Sequence, residues 1–147
     1  MKALALMLAL CPSALPAQSL ADRLAGEPVI TVEAWRALTQ GKTVVYEIDG
    51  ETFGYERYLG GGNVTIQLDD GSCIDGTWYM AQAAFCFDWE DGPLNCFNHK
   101  QLDGEIYVIG LDEGLETADI QKVARIANIP ITCGPALLSS LSIPERP

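Results

Sequence analysis

From residue 42 onward the apolar positions of the chain recur with a period of two, and turn residues cut them into short runs. Residues 42–48 alternate as a half-buried strand does, Asp49-Gly50 supplies a two-residue turn, and 51–59 form its partner. Gly60-Gly61-Gly62-Asn63 makes a loop before a third strand over 64–68, and Asp69-Asp70-Gly71 turns the chain into a longer strand over 72–80. Asp103-Gly104 is a further turn, followed by a last strand over 105–111. Asp-Gly recurs at 49, 70, 75, 91 and 103, and only Asp75-Gly76 falls inside a strand, which predicts a bulge just before Trp78.

The middle of this pattern is a hairpin over 84–97. Phe85, Phe87 and Trp89 give it an apolar face, and Cys86 and Cys96 stand at equal distance from Asp91. A three-residue loop, Glu90-Asp91-Gly92 with Gly92 left-handed, places the two cysteines opposite one another.

Two stretches follow a helical period instead. Thr31 is a good N-cap for a short helix over 32–38, with Glu33 in its first turn and Gly41 just past its end. Trp35 and Leu38 are three apart, so one face can cover a sheet. Residues 22–30 show little pattern. A longer helix is predicted over 117–128, where Ile120, Val123, Ala124 and Ala127 recur at helical spacing, Asp119, Gln121, Lys122 and Arg125 point elsewhere, and Pro130 ends it. Cys133 follows in an irregular segment, and 139–147 reads as a disordered tail.

The predicted fold is therefore mainly β, with α+β character at its edges. It is an antiparallel meander of about six to seven strands, a curled sheet or small barrel, with a short N-terminal and a longer C-terminal helix. It forms one domain over 22–138, with no linker and no internal repeat.

The first 21 residues change the picture of compartment. Met1-Lys2 is a minimal basic start, and 3–10 is an apolar run too short to span a bilayer, followed by Cys11, Pro12 and small residues. This is the layout of a secretory signal peptide, cleaved after Ala17 or Ala21; the second has the better small residue at the outer position. Leu10 before Cys11 argues against a lipidation box. Cleavage leaves Cys73, Cys86, Cys96 and Cys133, an even set that predicts disulfides in a periplasmic or secreted protein without membrane insertion. Of the three possible pairings, a Cys86–Cys96 bridge across the hairpin leaves Cys73 with Cys133. Zinc would require close ligand pairs, and the chain has none and a single histidine. No metal or other cofactor is expected.

Nine lysines and arginines face twenty aspartates and glutamates, a net charge of −11. Such a surface repels phosphates and excludes nucleic acid as a partner. It serves solubility and favours a cationic partner.

Several short stretches resemble a group of small uncharacterised secreted proteins of alphaproteobacteria. They are Thr31-Val32-Glu33, Leu38-Thr39-Gln40-Gly41-Lys42-Thr43, Gly54-Tyr55-Glu56-Arg57-Tyr58, Asp70-Gly71-Ser72-Cys73, Gly76-Thr77-Trp78-Tyr79, Phe85-Cys86-Phe87 and Asn95-Cys96-Phe97. The resemblance implies an exported, compact β-domain and no particular activity. The predicted second helix and Cys133 extend beyond its shared core.

Candidate chemistry is sparse. His99 is the sole histidine, near a strand end, and a hydrolase would have to use it with a carboxylate such as Asp103; Ser72 lies in no nucleophile motif. Asp69, Asp70, Asp75, Asp88, Glu90 and Asp91 crowd the hairpin ends without the spacing of a calcium loop. Aromatic residues are more plentiful than one core face requires. Trp78, Tyr79, Phe87, Trp89 and Phe97 are the candidate binding residues. They predict a non-catalytic module that binds a protein or a small apolar ligand; the alternatives are the His99 hydrolase and a structural envelope component.

Overall fold

In the computed structural model, residues 17–90 and 92–133 are described. Most of the expected leader (1–16), the tail (139–147) and Asp91 lie outside them. Two helices, α1 (Leu20–Ala25) and α2 (Val32–Thr39), precede eight strands. These are β1 (Thr43–Ile48), β2 (Glu51–Tyr58), β3 (Asn63–Leu68), β4 (Cys73–Ala81), β5 (Ala84–Trp89), β6 (Asn95–Leu102), β7 (Glu105–Asp112) and β8 (Leu115–Ala127). Each strand pairs antiparallel with the next, and β8 pairs with β1, so the meander closes into a barrel without a free edge.

The predicted β1–β2 turn lies at Asp49 and Gly50, both at positive φ, and Asp103-Gly104 repeats the arrangement between β6 and β7. Three expectations need correction. The first concerns 117–128, which belong to β8 and not to a helix. Thr117, Asp119, Gln121 and Val123 are alternate residues of this strand. The register then slips by one between Val45↔Arg125 and Tyr46↔Val123, leaving Ala124 as an extra residue. After the slip Ile126 packs against the core with Val123, three residues away. Of Ile120, Val123, Ala124 and Ala127, whose spacing suggests a helix, only Val123 is buried, and the added strand makes the total eight.

The second correction is at Asp75-Gly76, where no bulge occurs. Thr65↔Asp75 and Val64↔Gly76 on one side, and Gly76↔Trp89 on the other, are regular pairs. The glycine serves packing instead: a Cβ there would lie 2.6 Å from Cε3 of the Trp89 ring. Thirdly, Cys86 and Cys96 pair across β5 and β6 as expected, but the last paired residues are Phe87 and Asn95, so the connection is longer than three residues. Gly92 is not left-handed.

Residues 22–30, which show little pattern in sequence, contain most of α1, whose start is fixed by a reciprocal capping box between Ser19 and Asp22. Leu24 is buried, and Val29 bridges to Lys100 of β6. Six residues are too few to show a helical period. Cleavage after Ala21 would cut this helix, whereas cleavage after Ala17 leaves it and its cap whole.

In α2, Thr31 caps Ala34 N–H at 3.2 Å, as the sequence predicts. The face that packs inward carries Trp35 and Thr39, four apart, while Leu38 is 39% exposed. Trp35 enters one end of the barrel and meets Tyr58, Phe85 and His99 at ring-centroid distances of 5.8, 6.2 and 4.4 Å. Trp78 stacks on Phe85 and completes this plug.

After β8 the chain runs back over the outside of the barrel. Thr43 Oγ1 donates to the Ile129 carbonyl at 2.6 Å, Gln67 Nε2 donates to the Thr132 carbonyl, and Cys133 is bonded to Cys73. The two disulfides close separations of 60 and 10 residues. By the loop-entropy argument they contribute about 4 and about 3 kcal/mol. They also point to an oxidising, non-cytoplasmic compartment. Among the described residues no helix is long and apolar enough to cross a membrane.

Candidate ligand cavity at the open end of the barrel

An eight-stranded barrel is just wide enough to be filled by side chains or to enclose a small cavity, and this one is filled at one end and hollow at the other. The end bearing the β2–β3, β4–β5 and β6–β7 connections is plugged by α2. The other, bearing β1–β2, β3–β4, β5–β6 and β7–β8, leads into a cavity of about 320 Å³.

Strand alternation decides what faces it. From β2, Gly54, Glu56 and Tyr58 point inward; Ile66 and Leu68 come from β3 and Ile74 from β4. β5 supplies Phe87 and Trp89, and β6 supplies Asn95, Phe97 and His99. Tyr46, Val108, Asp119 and Gln121 complete the lining, with Phe53 and the Gly92-Pro93 connection at the mouth. Phe87 anchors the aromatic wall, stacked on Trp89 with rings 5.8 Å apart and inclined by 10°, and edge-on to Phe97 at 5.9 Å.

Two polar groups sit deep in this apolar lining. Glu56 is 4% exposed, and its Oε1 has no hydrogen-bond partner; His99 is fully buried, and neither ring nitrogen has one. Burial raises the Glu56 carboxyl to about 7, although the Tyr58 and Tyr46 hydroxyls beside it favour the charged form. Burial, and then the Glu56 charge, push both tyrosines well above their ordinary value. The two hydroxyls lie 3.3 Å apart. Burial also lowers His99 to about 3, so at neutral pH it is an uncharged imidazole offering one donor and one acceptor.

Of the candidate binding residues, Phe87, Trp89 and Phe97 come together on the cavity wall. Trp78 does not join them: it lies in the plug, 6% exposed, with the Arg36 guanidinium 5.2 Å from its ring centre. Tyr79 points outward, 43% exposed. His99 lines the cavity, whereas Asp103 sits on the outer surface at the plugged end and pairs with Arg23, so the two do not meet. Ser72 is exposed in the β3–β4 connection. Among the described residues, the cavity lining contains no serine, cysteine or lysine. Among the described residues, no three histidine, cysteine or carboxylate side chains converge as metal ligands.

Glu56 had no part in the sequence-based site. Its place two residues from Tyr58 on a strand of period two was the available signal, but a charged residue at such a position reads as an interruption of the pattern. No family model, curated protein or solved structure matches the chain.

Proposed function

We propose that the protein is an exported, non-catalytic binding module of the periplasm that takes one small, predominantly apolar ligand into the open end of its barrel. The observation that carries this reading is the cavity itself. It is walled by Phe87, Trp89, Phe97, Leu68 and Ile74, open to solvent, and at about 320 Å³ within the range of small-ligand sites. Its few polar groups are placed to orient a ligand rather than to attack one. The hydrolase alternative draws no support from His99 and Asp103, which lie on opposite sides of the barrel wall. A structural envelope component would have no use for an open apolar chamber.

The test is a fluorescence titration with N-phenyl-1-naphthylamine, a neutral apolar dye. The expected result is saturable one-to-one binding to the wild type, weakened at least about tenfold in Ile74→Trp, which narrows the cavity between β4 and its neighbours. Absence of saturable binding, with no ligand raising the melting temperature, would support the structural reading instead.

A further inference from the structure

The cavity presents a buried acid in a chamber built mainly of rings. Glu56 projects from the middle of β2, below the aromatic mouth and above the Trp35 plug, and its Oε1 is left without a donor. Among the described residues, the titratable groups near it are acids or a neutral acceptor: Tyr46 on β1, Tyr58 on β2, His99 on β6 and Asp119 on β8. Among the described residues no cationic side chain lines the chamber. The same bias continues outward. The open-end connections and their flanks carry Asp49, Asp69, Asp70, Glu90, Asp112 and Glu113, and none of the described lysines and arginines lies in them.

A buried carboxylate needs a partner, and an unpaired one is costly. Aromatic faces attract cations, most of all organic ones whose charge is carried next to an apolar body. The acidic rim would concentrate such a ligand at the mouth. A bare metal ion is poorly served, because one carboxylate among rings gives too few oxygen ligands.

We infer that the ligand is an organic cation, an ammonium on a short apolar or aromatic body, whose charge pairs with Glu56 while its body lies against Phe87, Trp89 and Phe97. This rests on the cavity being a ligand site. It adds that Glu56 sets which class of ligand enters. The Tyr46 hydroxyl and the acceptor nitrogen of His99 complete the set of acceptors for the ammonium.

The test compares 2-phenylethylammonium with 2-phenylethanol by isothermal titration at pH 8, on the wild type and on Glu56→Gln. The ammonium is expected to bind the wild type at least about tenfold tighter than the alcohol. Glu56→Gln should lose that preference, keep its affinity for the alcohol and melt no lower than the wild type. Between pH 8 and 6 the wild type should lose about tenfold in affinity for the ammonium alone, because the raised carboxyl takes up its proton over that range. Equal or tighter binding of the alcohol would overturn the inference and leave the cavity as a site for neutral ligands. Retention of the ammonium preference in Glu56→Gln would overturn it too, assigning the selectivity to the acidic rim. If neither compound nor N-phenyl-1-naphthylamine binds, the cavity reading fails as well.

Discussion

At the plugged end of the barrel Trp35 descends from α2 onto Tyr58, Phe85 and His99, whereas at the open end, among the described residues, the facing layer of Phe53, Leu68, Trp89 and Phe97 has no helix above it. Both layers are rich in rings, and both belong to the same closed sheet. What separates them is one buried indole and the distribution of charge. Arg36 lies over Trp78 at the plugged end, while the open-end connections carry carboxylates alone among the described residues. Aromatic content by itself therefore does not mark a binding surface here; the decisive matter is which layer another element covers.

The largest effect should come from removing that cover. Trp35 is fully buried, and Trp35→Ala should destabilise the fold by about 3–5 kcal/mol in urea unfolding. Leu68→Ala, at the open end, should cost about 1 kcal/mol or less, because its side chain already borders the cavity. Equal losses at the two positions would mean that the ends do not differ as described.

Much of this architecture is written in local chemistry. Asp49-Gly50 and Asp103-Gly104 name their own turns, because aspartate and glycine tolerate positive φ. Thr31 marks the start of α2, and the positions of Cys86 and Cys96 suit a hairpin bridge. The β7–β8 turn escaped because it begins with Glu113, whose φ is +48°, in a place where asparagine, aspartate or glycine is the usual signal. β8 escaped because Ile120, Val123, Ala124 and Ala127 happen to recur at helical spacing, although of the four only Val123 is buried and Ala124 is the exposed extra residue of the bulge. The candidate site divided for a similar reason. Phe87, Trp89 and Phe97 share a face by strand alternation, but nothing local tells Trp78 that α2 will seal its end.

A smaller effect distinguishes the two buried titratable groups where plug and cavity meet. Glu56 is raised to about 7, so the native state holds its proton longer than the unfolded chain, and stability falls as pH rises from about 4.5 to 7. His99 is lowered to about 3, so the unfolded chain binds its proton first, and stability rises with pH from about 3 to 6.5. Between pH 4.5 and 6.5 the two slopes oppose each other, each about 1.4 kcal/mol per pH unit. Relative to wild type, Glu56→Gln should gain stability with rising pH in that window, and His99→Gln should lose it. Urea unfolding at pH 4.5, 5.5 and 6.5 reads both signs. Parallel profiles for all three proteins would mean that neither group is buried as described.

The most direct measurement of the difference between the ends is methyl-resolved NMR during titration with N-phenyl-1-naphthylamine. The expected shifts fall on Ile66, Leu68, Ile74 and Val108, which line the cavity, while Val29, Val32 and Ile126 stay in place. Shifts confined to the exposed Leu38 and Leu59 on the plugged end would contradict the account, because the ligand would then sit outside the barrel.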